Sequence, residues 1–78
     1  MKKVEVTWKD IIASSGWHTP NQIDNFVTEE DNVIKSIGYL YEQDENQVVL
    51  VNAYFTDKSK FGSVEKIPSG CIVKIEVL

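Results

Sequence analysis

The stretch from Gln47 to Thr56 is the tightest constraint on what this chain can fold into. In an extended strand it puts Val49, Val51, Ala53 and Phe55 on one side and Val48, Leu50 and Tyr54 on the other. A strand that is apolar on both faces needs cover above and below and a neighbour along each edge. The pattern therefore predicts a central strand, and the rest of the chain must supply its surroundings.

Val33 to Glu42 supplies one neighbour. Both runs are rich in β-branched and aromatic residues, and Gln43-Asp44-Glu45-Asn46 between them is a polar turn, so a hairpin is expected. Gly38 marks a bulge or a sharp bend of the kind that closes small barrels. Near the start, Val4, Val6 and Trp8 alternate with Lys3, Glu5, Thr7 and Lys9, the pattern of a half-buried strand. After a polar loop from Thr56 to Ser63, Val64 to Ile67 reads as a brief strand and Pro68-Ser69-Gly70 as a tight turn. A last strand sets Cys71, Val73, Ile75 and Val77 against Ile72, Lys74 and Glu76.

Two helical segments interrupt this pattern. Asp10 is read as the cap of a single turn through Ile11-Ile12-Ala13, closed by Ser14-Ser15-Gly16. Thr19-Pro20-Asn21-Gln22 has the form of a capping box, with Pro at the first helical position, and predicts a helix over residues 20–27. Ile23, Phe26 and Val27 share one of its faces, and Thr28 to Asn32 is a solvated acidic turn. The expected fold is mainly β (α+β): a five-stranded antiparallel barrel of the SH3/Sm type or a bent sheet, with one or two short helices, forming a single domain over residues 1–78.

A chain of 78 residues buries only about 60–65% of the surface it exposes unfolded, so one thin core is all it can build. If one face of the sheet takes Val49, Val51, Phe55, Val73 and Ile75, then Val48, Leu50, Ile72 and Leu78 need other cover. A partner copy is the simplest source, so a homo-oligomer is expected.

The residues that build active sites are scarce. The single cysteine, Cys71, excludes an internal disulfide and fits a reducing compartment. No secretory leader or membrane span is expected, because Glu5 and Lys9 interrupt the only leader-like run and no apolar run is long enough to span. A soluble, cytoplasmic protein is predicted. His18, the only histidine, and Cys71 lie far outside zinc-ligand spacing, the acidic turns lack a calcium-loop pattern, and Ser14 and Ser15 lie in no nucleophile elbow. Gly16, Gly38, Gly62 and Gly70 are isolated and form no phosphate-binding fingerprint. Neither a metal, nor a cofactor, nor catalysis is expected. The net charge of −4 and the absence of arginine argue against nucleic acid, whose phosphates and base edges call for a basic patch and guanidinium groups.

Binding is what remains. Tyr39 and Tyr41 lie two apart on one strand and share a face, and Tyr54 on the partner strand is expected to approach it: together they either stack a flat ligand or fill the core or a subunit contact. The Gly16-Trp17-His18-Thr19 turn offers a large ring, an imidazole and the free amides of a helix start, although Trp17 also suits a lid over the barrel end. With Lys58 and Lys60 this turn would suit a small phosphorylated ligand. The candidate ligand-binding residues are thus Trp17, His18, Tyr39, Tyr41, Lys58 and Lys60.

Val6-x-Trp8-x-Asp10, Gly16-Trp17-His18, Ser36-Ile37-Gly38-Tyr39-Leu40 and Ile67-Pro68 ahead of Ile72 and Ile75 together resemble a group of small uncharacterised proteins of phage and prophage genomes. The resemblance implies a viral origin and a small β-rich fold, and it carries over no functional residue. Viral proteins of this size often act on host defences, by blocking a protein or sequestering a nucleotide signal. The expected function is a non-enzymatic, homo-oligomeric binding protein, a host-defence antagonist that sequesters a small nucleotide. The alternative is a protein–protein adaptor that binds a host protein, or a virion accessory component.

Overall fold

The structure is a computed structural model and describes residues 1–78. Five strands, β1 (Lys3–Asp10), β2 (Asn32–Gln43), β3 (Gln47–Tyr54), β4 (Phe61–Pro68) and β5 (Ile72–Val77), form one antiparallel sheet in the order β4-β3-β2-β1-β5. A helix, α1 (Pro20–Val27), lies between β1 and β2, and a 3₁₀ turn over Ser69–Cys71 joins β4 to β5. The twofold apolar run is central, as its pattern requires, with β2 and β4 on its two edges. The sheet is open, because β4 and β5 occupy its two edges and share no ladder.

Val4, Val6, Val48, Leu50 and Ile67 form the buried core, with Trp8, Leu40, Ile72 and Ile75 packed around it. Side chains of β1 thus meet those of β3 and β4 across β2, so the sheet curls and the core fills its concave side. Gly38 stands where the curl brings β2 tightly against β3. A Cβ there would lie 3.1 Å from the Val51 carbonyl oxygen and 3.2 Å from Leu50 Cβ. The expected bulge falls elsewhere, at Tyr41, where the β2–β3 register shifts between Leu40 and Glu42. The Trp8 indole donates to Ser36 Oγ at 3.0 Å, which satisfies the one polar atom that Trp8 brings to the core margin.

Three local expectations are corrected. Ile11-Ile12-Ala13 is not helical, since β1 continues to Asp10, whose carboxylate accepts from the Ile11 N–H at 2.9 Å and turns the chain there. β4 begins at Phe61 rather than Val64, because Phe61 pairs with Tyr54 and extends the ladder. In the last strand, the β1–β5 register shifts between Thr7 and Trp8, placing Ile72 and Ile75 against the core while Val73 is exposed. Simple alternation cannot anticipate such a shift, and Cys71 ends up half-buried in the 3₁₀ turn.

The helix forms where the capping box predicts. The Thr19 side chain accepts from the Gln22 N–H, and the Gln22 side chain accepts from the Thr19 N–H. None of its residues is buried, however. Residues 11–31 form an arm that stands off the end of the sheet, and the molecule measures 55 × 23 × 19 Å. Its radius of gyration is 16.6 Å, against about 11.5 Å for a compact chain of this length. No helix is long and apolar enough to cross a membrane.

Candidate functional site

The curl sorts the charges. Val4, Val6 and Trp8 point into the core, so Lys3, Glu5, Thr7 and Lys9 lie on the convex side. The register carries Lys35, Ile37 and Tyr39 of β2 to that side, with Lys74 and Glu76 of β5. Val49 and Val51 of β3 share it with Lys66 and Val64 of β4. The β1–β5 half is charged and internally paired: Lys35 meets Glu5 at 3.3 Å, and Lys74 pairs with Glu76. The hydrogen bond between Lys74 and Glu76, reinforced by their opposite charges, holds the ammonium above its usual value and the carboxyl below. The β2–β4 half is more apolar, with Ile37, Tyr41 and Val64 exposed beside Glu42 and Lys66.

An aromatic cluster borders this apolar half. Tyr39 meets Tyr54 edge-on with centroids 5.1 Å apart, and Tyr41 meets Phe61 in the same way at 4.9 Å. Tyr54 and Phe61 complete the cluster at 6.4 Å. Tyr54 borders two open hollows. One, of about 340 Å³, is lined by Tyr39, Asn52, Ala53, Tyr54 and Thr56. The other, of about 320 Å³, is lined by Ala53, Tyr54, Phe55, Lys60, Phe61 and Gly62. Lys60 Nζ stands 5.8 Å from the centre of the Phe55 ring, a cation–π distance that keeps its charge beside the second hollow. A third hollow, of about 220 Å³, is lined only by Tyr41, Val49, Val51, Phe61 and Val64.

The β3–β4 loop is built by its own polar groups. Lys58 takes a left-handed conformation with φ of 60°, and its N–H donates to the Phe55 carbonyl at 2.7 Å. The Asp57 carboxylate accepts from the Ser59 N–H at 2.9 Å, and bonding to Ser59 holds its carboxyl below the ordinary aspartate value.

Of the six sequence candidates, the structure brings together Tyr39, Tyr41 and Lys60, through Tyr54, Phe61 and Phe55. Lys58 sits in the same loop but lines neither hollow beside Tyr54. Trp17 and His18 lie on the arm, where no shared hollow or ring contact joins them to that cluster. Trp17 is fully exposed and is no lid over the sheet. His18 Nε2 lies 3.0 Å from Ser14 Oγ, in a small hollow with Ile23 and Phe26. A hydroxyl and an imidazole at this distance are the beginning of a nucleophile–base pair, but no third group orients the ring, as such a pair requires.

Sequence reasoning missed Phe61, assigned to the polar loop, and read Phe55 as a face residue of the central strand, which ends at Tyr54. The alternation of Phe61 with Tyr54 across the hairpin was the available signal. Comparison with known protein families, curated proteins and solved structures finds no match to this chain.

Proposed function

We propose that this chain is a non-enzymatic, homo-oligomeric binding module whose aromatic and lysine surface takes a flat, anionic ligand of the nucleotide class. The observation that carries this reading is Tyr54, edge-on to Tyr39 and flanked by two open hollows, with Lys60 beside one of them. A ring face stacks on a base, worth about 1–3 kcal/mol per base, and the lysine ammonium supplies a point charge for a phosphate. With the resemblance to phage proteins, the module is read as a cytoplasmic antagonist that sequesters a small nucleotide signal of the host. The strand order, with β5 returning to β1 through a 3₁₀ turn, supports a small SH3/Sm-like barrel left open between β4 and β5.

Calorimetry with linear and cyclic nucleotides tests the ligand. Binding is expected to weaken about tenfold in Tyr54→Ala and in Lys60→Ala, from the loss of one stacking partner or one charge contact. Absence of heat from every nucleotide removes this reading. The second reading, a protein–protein adaptor or virion accessory component, is favoured by exposed Ile37 and Val64 beside the cluster. Capture of one host or virion protein, lost in Ile37→Asp, supports it.

A further inference from the structure

The chain carries two unpartnered apolar features of opposite shape. The arm presents a knob: Trp17 is fully exposed beside Gly16, whose φ of 92° sets the turn. Ile11, Ile23 and Val27 are exposed on the same arm. An eight-residue helix with no buried side chain is shorter than the ~12–15 residues an isolated helix needs in water. Its capping box secures only the first turn, so the helix calls for a packing surface. The sheet presents a hole: the hollow of about 220 Å³ walled by Tyr41, Val49, Val51, Phe61 and Val64 has no charged lining residue and a volume sufficient for one indole ring.

Their charges are complementary as well. Residues 11–31 contain Asp24, Glu29, Glu30 and Asp31 and no lysine. The convex side carries Lys3, Lys9, Lys35, Lys66 and Lys74 against Glu5, Glu42 and Glu76. Within an acidic chain, the face that holds the hollow is therefore basic. One arm-to-face pair already forms at the base of the arm, Lys9 with Asp31 at 3.2 Å.

From this we propose that two copies of the chain exchange arms, the Trp17 indole of each filling the Tyr41–Val49–Val51–Phe61–Val64 hollow of the other. Twofold symmetry makes the contact occur twice. A stable dimer buries about 1,200–2,000 Å² in total, and here two arms and two faces would share that area. The all-apolar hollow shares only the Phe61 wall with the lysine-bordered hollow, so arm exchange leaves the proposed ligand surface open.

Analytical ultracentrifugation of the full chain across the micromolar range tests the exchange. The wild type is expected to dimerise, with dimers weakened by added salt. Trp17→Ser and Val64→Asp, both at exposed positions, are expected to lose about thirtyfold for each site removed, hence about a thousandfold for either homodimer. Mixing the two variants restores one intact site, because one supplies the knob and the other the hollow. That heterodimer is expected only about thirtyfold weaker than the wild type. Circular dichroism of each variant should match the wild type. A wild type that stays monomeric, homodimers unaffected by either substitution, or a mixture that fails to associate would overturn the exchange. So would an intrachain disulfide in a monomeric variant carrying Trp17→Cys and Val64→Cys together with Cys71→Ser.

Discussion

Gly38 and Gly62 lie in adjoining parts of one sheet, and replacing each with alanine should move stability in opposite directions. A methyl at Gly38 would stand 3.1 Å from the Val51 carbonyl oxygen and 3.2 Å from Leu50 Cβ. Neither neighbour is a flexible side-chain end: one is backbone, the other the root of a core leucine. Relief requires β2 to draw away from β3 where the sheet curls over its core. Overpacking of this kind costs about 1–3 kcal/mol. Alanine also restricts the unfolded chain, which returns about 0.4–1 kcal/mol. The net expectation for Gly38→Ala is a loss of about 1–2 kcal/mol.

At Gly62 the added methyl meets Ala53 Cβ and the Ala53 carbonyl oxygen at 3.9 Å, ordinary contact distances. Only the unfolded-state effect remains there, so Gly62→Ala should gain about 0.4–1 kcal/mol. Urea titrations followed by circular dichroism, at one protein concentration, read both changes. With a slope of about 1 kcal/mol/M, the midpoint falls by about 1–2 M in the first variant and rises by up to about 1 M in the second. Equal shifts of the same sign would refute the claim that β3 crowds Gly38 and leaves room at Gly62.

Two further outcomes follow from hydrogen bonds. Ser36→Ala leaves the Trp8 indole N–H without its acceptor at a half-buried site, and should cost about 1–2 kcal/mol in the same urea assay; an unchanged midpoint would show that water replaces the serine. Asp57, bonded to Ser59, should titrate below its ordinary 3.8 when followed by carboxyl NMR. Because its folded value is depressed, its contribution to the loop is present above the unfolded pKa and lost as pH falls through the folded one. A midpoint at or above 3.8, or no change in Asp57→Ala loop dynamics, would contradict the bonding described.

Where a structural decision was made by neighbours in the chain, it was legible. The capping box at Thr19 and Gln22 placed α1 because cap, proline and reciprocal acceptor all lie within four residues. Val4, Val6 and Trp8 declared a strand and its core face, and the twofold apolar run declared its central place. Asp10 shows the limit of such reading: a good cap residue there bonds the next amide and merely turns the chain, because strand pairing with Asn32 prevails.

The candidate site was legible in part. Tyr39, Tyr41 and Lys60 were singled out by residue type, but their grouping depends on Phe61 and Tyr54 facing each other across the β3–β4 hairpin. Trp17 looked like a lid because a large ring beside a short core is usually covered. Whether the arm folds back is decided by packing of the whole chain, and here it stands away.

The sequence by itself determined the number of strands, the helix and its cap, and the scarcity of catalytic groups, all consequences of local spacing and residue type. Only the tertiary structure decided the register shifts at Tyr41 and before Trp8, and with them which side chains reach the core. The same registers collected lysines on the convex side of an acidic chain and left the acidic arm apart from it. Pairing between strands distant in sequence sets those positions, because each ladder bond is chosen by the strand opposite and not by the residues alongside.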